Sequence, residues 1–179
     1  MIFVTGGTGL VGSHILLKLS QDGKAFKALK RPSSSLTICK NVFSKYNQTE
    51  LFSRINWIEG DINDIPSLEI ALENCEYILH CAAVVSFHSS DKDLLKKVNI
   101  EGTANVMNVA LGSSVKKVGY ISSIAALGRN STEGIVDEDC HFIETKSDSN
   151  YALSKYYAEQ EVWRASQEGL DVVIINPSV

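Results

Sequence analysis

The chain has 179 residues, 44% of them hydrophobic and 21% charged, with 17 basic and 21 acidic side chains and a net charge of −4. This describes one domain or part of one, able to bury a sizeable core, and excludes a disordered tail. The acidic balance argues against a nucleic-acid partner, and no apolar run approaches the ~18 residues of a membrane span. The start, Met1-Ile2-Phe3-Val4-Thr5, lacks a basic leader and runs straight into a predicted strand, so no signal peptide is expected. Cys39, Cys75, Cys81 and Cys140 are irregularly spaced with no CxxC pair, and His14, His80, His88 and His141 form no HxxxH or HExxH arrangement. No disulfide scaffold and no metal site is expected, and a reducing cytoplasm is the simplest compartment.

In chain order, short β-branched runs at 2–5, 25–29, 55–58, 77–79, 117–121 and 172–175 read as six strands. Several are apolar on consecutive positions, as strands covered on both faces are. Helical spacing fills the intervals. Residues 10–20 place Val11, Ile15, Leu16 and Leu19 on one stripe, and 92–111 and 151–167 are longer periodic segments. The stretch 31–54, with Ser33, Ser34 and Ser35 after Pro32, reads as a loop. So does the polar stretch 129–150. Strands alternating with helices predict an α/β Rossmann fold, a doubly wound parallel sheet with right-handed crossovers. Residues 171–179 read as a buried strand followed by Asn176-Pro177-Ser178, with no closing helix after it. The expectation is a single dinucleotide-binding domain over 1–179, truncated or minimal at its C-terminus.

The first strand leads into Thr5-Gly6-Gly7-Thr8-Gly9-Leu10-Val11-Gly12, a GxxGxxG spacing that opens the first helix. Gly6 suits a tight turn, Gly9 a close backbone approach by pyrophosphate, and Gly12 close packing of helix on strand. The amides at the start of the helix attract phosphate. Gly6, Thr8, Gly9, Leu10, Val11 and Gly12 are therefore the candidate phosphate cradle. No Gly-Lys-Ser/Thr follows, which disfavours a P-loop. The second strand ends without the Asp or Glu that usually meets the ribose 2′-OH of NAD. It carries Lys30 and Arg31 instead, either as surface charges or as partners of a 2′-phosphate, which favours NADP(H) over NAD(H). After the third strand, Asp61 can accept from the adenine amino group with Ile62 against the ring, or the segment is a simple strand-end turn.

Tyr151-Ala152-Leu153-Ser154-Lys155 places a tyrosine and a lysine four apart on one helix face. Chance alone gives roughly 0.4 such matches in this composition, so the spacing is weak by itself. The Ser122-Ser123 pair at the end of the fifth strand strengthens it, because carboxyl ends of parallel strands form the ligand crevice. A free tyrosine has a pKa near ~10, and a neighbouring ammonium favours its phenolate. A tyrosine so tuned can exchange a proton with a carbonyl or carbinol oxygen held by a serine.

Together with His80-Cys81-Ala82-Ala83, the run 98–110, the run 120–128 and Asn176-Pro177-Ser178, these motifs follow one another in a familiar order. The chain resembles the extended short-chain dehydrogenase/reductase superfamily, in its NAD-dependent epimerase/dehydratase group. The SS motif and Arg31 look most like its dihydroflavonol reductase-like and hydroxysteroid dehydrogenase-like members. The resemblance implies that Ser123, Tyr151 and Lys155 are catalytic, with Ser122, the neighbour of the serine, in the cofactor site. It implies that Cys81, Ala82 and Ala83 pass the cofactor ribose by backbone contact, and that Asn99 supports the active site from the cofactor-binding side. It also puts Asn176, Pro177 and Ser178 beside the nicotinamide, with Tyr151 and Lys155 contacting the cofactor. Members usually continue well beyond this point, and that part supplies most of the substrate pocket.

The expected function is hydride transfer between a nicotinamide cofactor and a carbonyl or alcohol. The alternatives are a nucleotide-sugar epimerase or dehydratase with tightly held NAD, and a non-catalytic dinucleotide sensor. The expected partner is a small molecule, with no nucleic acid, membrane or metal; a homodimer is left open.

Overall fold

The computed structural model of the chain describes residues 1–128 and 136–178. Its strands are β1 (Ile2–Thr5), β2 (Phe26–Lys30), β3 (Trp57–Glu59), β4 (Tyr77–His80), β5 (Lys117–Ile121) and β6 (Asp171–Ile175). They form one sheet in the order β3-β2-β1-β4-β5-β6, parallel at every pairing. The order reverses between β1 and β4, and a crevice at the carboxyl ends of the strands is expected at such a reversal.

The consecutive apolar positions follow from having two covered faces, because successive side chains of a strand point opposite ways. Phe3 packs with Leu68, Ile78, Val106 and Val118, while its neighbour Val4 packs with Leu16, Ala28, Val42 and Phe43. Burying a side chain of this kind contributes roughly 1.5–3 kcal/mol. One face is covered by α1 (Leu10–Gln21), α2 (Thr37–Lys45) and α3 (Thr49–Ser53). The other is covered by α4 (Ile65–Leu72), α6 (Gly102–Leu111) and α7 (Asn150–Gln167), with the short α5 (Lys92–Leu95) ahead of α6.

Several expectations need correction. The stretch 31–54 is not a loop: α2 buries Cys39, Val42 and Phe43 at helical spacing. That stripe is only two turns long in a polar surround, too short to stand out by periodicity. Helix α4 was not foreseen; it begins with proline in its first turn and buries Leu68, Ala71 and Leu72. In α1 the buried face is Gly12, Ser13, Leu16 and Leu17, and Val11 is half exposed. The small residues set the close approach to the sheet, so the stripe is centred on them rather than on the branched ones. The run 92–111 is not one regular helix, because Lys96–Glu101 forms a π turn between α5 and α6. Strand β6 is not buried on both faces: Val172 and Ile174 pack on the core, whereas Val173 and Ile175 are half exposed. It is an edge strand with helices on one side. Described residues between 136 and 149 contain no helix or strand, as expected, and the rest of that stretch lies outside the described residues. Among the described residues, no helix is long and apolar enough to cross a membrane, and no group of three or more His, Cys, Asp or Glu side chains could hold a metal.

Candidate active site

The turn after β1 is held by its own backbone. Gly6 has φ 71° and its carbonyl accepts the Gly9 N–H at 3.0 Å. A Cβ on Gly6 would lie 2.4 Å from the Cys81 carbonyl carbon, and one on Gly12 would lie 2.2 Å from the Gly6 oxygen. Neither position admits a side chain. A Cβ on Gly9 would meet only the Gly6 oxygen, at 3.5 Å, so space is open there for a ligand. The first backbone bond into α1 is Ser13 N–H to the Gly9 carbonyl, and among the described residues the N–H groups of Leu10, Val11 and Gly12 have no backbone acceptor. Open amides at the start of a twelve-residue helix beside a cradle without side chains fit a pyrophosphate.

The groove in front of this turn is lined by Gly6, Thr8, Gly9, Lys30, Arg31, Asp61, Ile62, Cys81, Ala82 and Ala83, and encloses about 700 Å³ counting space open to solvent. It gathers residues from the ends of four strands. Lys30 and Glu59 are register partners on β2 and β3, and their side chains pair at 2.6 Å. Arg31 has no carboxylate partner among the described residues, so it is the cation left to meet a ligand. Asp61 Oδ1 accepts the Asn63 backbone and side-chain N–H groups at 2.9 and 3.1 Å, which fixes the carboxylate at the groove wall. Ile62 is nearly buried against Gly102, with its carbonyl accepting from Asn105 at 3.0 Å, so only its edge meets the groove.

Ser122, Ser123, Lys155 and Asn176 meet at the ends of β5 and β6. Lys155 is 1% exposed, and its Nζ donates to the Ile121 carbonyl at 2.9 Å and to Tyr120 Oη at 2.7 Å. Burial lowers its pKa to about 8, opposed chiefly by the negative charge of Glu159. Among the described residues no hydrogen bond joins Lys155 to Tyr151, whose ring instead meets Phe87 edge-on at 5.6 Å. Ser123 Oγ accepts the Ala125 N–H at 3.1 Å, capping a short 3₁₀ turn, so its own proton is free to be donated elsewhere.

Four expected contact residues, Ser122, Asn176, Pro177 and Asn99, are engaged within the protein. Ser122 Oγ donates to Glu159 Oε2 at 2.6 Å. Asn176 Nδ2 donates to the same oxygen and to the Ser123 carbonyl, both at 3.1 Å. The Pro177 carbonyl accepts the Ile124 N–H at 3.2 Å, while Ser178 is exposed. Asn99 is fully buried in the π turn. It accepts the Val84 N–H at 2.7 Å and donates to the Val84 carbonyl and Ser154 Oγ, both at 2.9 Å. It thus ties the Cys81–Val84 loop to the helix carrying Tyr151 and Lys155. A π turn in a helix often marks such a site.

Sequence reasoning missed Glu159, Tyr120, His80, Thr5 and Thr103. His80 is fully buried, with Nδ1 2.6 Å from Thr5 Oγ1 and Nε2 3.0 Å from Thr103 Oγ1. Burial first, and the nearby Lys155 charge second, lower its pKa to about 3, so it is neutral at ordinary pH. Burial pushes the Cys81 thiol up to about 12, so it is not a nucleophile here. A signal was present: Thr5, His80 and Tyr120 are polar side chains at the ends of three predicted strands.

The model of a family described as "NAD dependent epimerase/dehydratase family" matches residues 2–179. The chain is 35% identical over 176 residues to a Synechocystis protein named "Putative dihydroflavonol 4-reductase", covering 98% of this chain and 48% of that one. The solved structure of gox2253 is similar at 36% identity and TM-score 0.83, over 100% of this chain and 51% of that one. A short-chain dehydrogenase/reductase superfamily protein from Agrobacterium tumefaciens with bound NAD is similar at 26% identity and TM-score 0.78, over 98% and 48%. The chain spans about half the length of the relatives it matches.

Proposed function

The chain belongs to the NAD-dependent epimerase/dehydratase family, and on that premise we propose that it is the dinucleotide-binding part of an NADP(H)-dependent oxidoreductase acting on a small-molecule carbonyl or alcohol in the cytoplasm. The observation that carries the reading is the meeting of Ser123, Lys155 and the Tyr151 helix at the end of β5, beside a groove with open helix amides. The bound nicotinamide supplies or accepts the hydride. Tyr151 gives its proton to the substrate oxygen in reduction and takes it back in oxidation. Ser123 orients that oxygen with the proton its own cap leaves free. Lys155 has three N–H donors and spends two on Tyr120 and Ile121, keeping one for Tyr151 or the cofactor ribose. Arg31 supports the NADP(H) preference, because Lys30 is already paired. Ser122, Asn99 and Asn176 act by holding the ends of β5, β6 and α7 together.

The test is transfer of deuterium from C4-deuterated NADPH to an aldehyde or ketone by a protein carrying this chain, compared with its Tyr151→Phe variant. Turnover should fall about 10²–10⁴-fold with cofactor affinity kept. Undiminished turnover, measured where chemistry limits the rate, overturns the assignment. The epimerase reading is favoured by the description of the family itself. It predicts instead a tightly held NAD that copurifies, with no net consumption of added cofactor.

A further inference from the structure

We infer that Tyr120 is a positioning residue, holding the Lys155 ammonium at the end of β5 by a buried hydrogen bond, with its own ring stacked on His80 in the bonded row of Thr5, His80 and Thr103. This deepens the function proposed above, in which Lys155 serves Tyr151.

Thr5, His80 and Tyr120 are register partners on β1, β4 and β5. Partner residues of parallel strands stand on the same face, so the three form one row across the centre of the sheet. Apolar side chains normally fill such a row. Here Thr5 and His80 are fully buried and Tyr120 is 1% exposed, and Thr103 of α6 is fully buried against them. A buried polar group without a partner is costly, so each must be bonded. The Ala82 N–H donates to Thr5 Oγ1 at 3.3 Å, Thr5 meets His80, and His80 meets Thr103. Lys155 donates to Tyr120 Oη at 2.7 Å. His80 also stacks on the Tyr120 ring at 5.5 Å, which fixes the ring plane.

An ammonium can only donate, so Tyr120 Oη accepts from Lys155. Burial keeps His80 neutral, so one ring nitrogen donates and the other accepts, and both are bonded, to Thr5 and to Thr103.

The other titratable groups around Lys155 leave Tyr120 as its side-chain holder. Glu159 on α7 is committed to Ser122 and Asn176. Cys81 after β4 and His80 on β4 are neutral, and Tyr151 on α7 has no hydrogen bond to it among the described residues. Among the described residues, Tyr120 is the one side chain that takes a hydrogen bond from Lys155, and the ammonium also sits 4.4 Å from the centre of its ring.

The test reads the lysine itself. The chain is labelled with ¹³C,¹⁵N-lysine and the side-chain resonances are followed against pH, with Lys155→Met identifying the signal. Lys155 should titrate near 8, below the other lysines. In Tyr120→Phe the ring stays and one acceptor of the buried ammonium is lost, so the midpoint should fall by about one pH unit or more. Thr103→Ser, which keeps the hydroxyl bonded to His80, should leave it in place. An unmoved midpoint in a folded Tyr120→Phe protein overturns the inference. If that variant does not fold, the wild type decides. One ammonium with slow solvent exchange at neutral pH supports the assignment, and a Lys155 ammonium that exchanges like the exposed lysines overturns it. No substrate or cofactor enters this measurement. A shifted midpoint in a protein without hydride transfer would therefore support Tyr120 and sink the proposed function alone.

Discussion

Replacing Arg31 with alanine isolates the group proposed to read a 2′-phosphate. Lys30 sits 2.6 Å from Glu59, so its charge is largely spent, whereas Arg31 lines the groove with no carboxylate partner among the described residues. A hydrogen bond to a charged group contributes about 1.5–3 kcal/mol, and about 1.4 kcal/mol is a factor of ten in affinity. Arg31 is exposed, so the lower end applies, and Arg31→Ala should weaken NADPH roughly tenfold. NADH, which has no 2′-phosphate, should bind almost unchanged. Lys30→Gln should cost NADPH less than about threefold, since that lysine already has an acid beside it. Fluorescence titration of both cofactors at fixed ionic strength measures all of this, and added salt should narrow the preference by screening. Equal weakening of NADH and NADPH by Arg31→Ala, or no weakening of either, refutes the reasoning.

Gly12→Ala should cost about 1–3 kcal/mol of stability and at least tenfold in cofactor affinity, because its Cβ would displace the glycine turn; thermal melts and the same titration check it. His80 should make the fold acid-sensitive. Its pKa is about 3 when folded against ~6.5 unfolded, so between those values the unfolded chain binds the extra proton and stability falls as pH drops. The loss should be about 2 kcal/mol by pH ~5. Urea melts at two pH values should show a flatter dependence in His80→Gln, and an unchanged slope would contradict the buried neutral histidine.

The alternation of strands and helices was legible because a buried parallel strand writes a continuous apolar run, as in Ile2-Phe3-Val4. The two helices within 31–54 were not, since Cys39, Val42 and Phe43 make too short a stripe. At the site, Gly6, Gly9, Gly12, Tyr151 and Lys155 announced themselves by local spacing. Their supports did not, because those contacts close over long stretches of chain. Lys155 meets Tyr120 across 35 positions, Ser122 meets Glu159 across 37, and Thr5 meets His80 across 75. Strand register brings Thr5 to His80, and the packing of α7 on the sheet brings Lys155 and Glu159 to the end of β5. Ser122 and Asn176 show the same limit: their place in the motifs was readable, but their shared engagement with Glu159 was not.

The central claim is that the glycine turn and the loop after β4 cradle a nicotinamide dinucleotide whose reactive end reaches Ser123, Tyr151 and Lys155. Backbone amide spectra of the ¹⁵N-labelled chain, recorded as NADPH is added, test it most directly. The account predicts saturable shifts at Gly6, Gly9, Leu10, Val11 and Cys81 through Ala83, extending to Ser123 and Tyr151. Shifts confined to residues outside that line, or none at saturating NADPH and NADH, would contradict it.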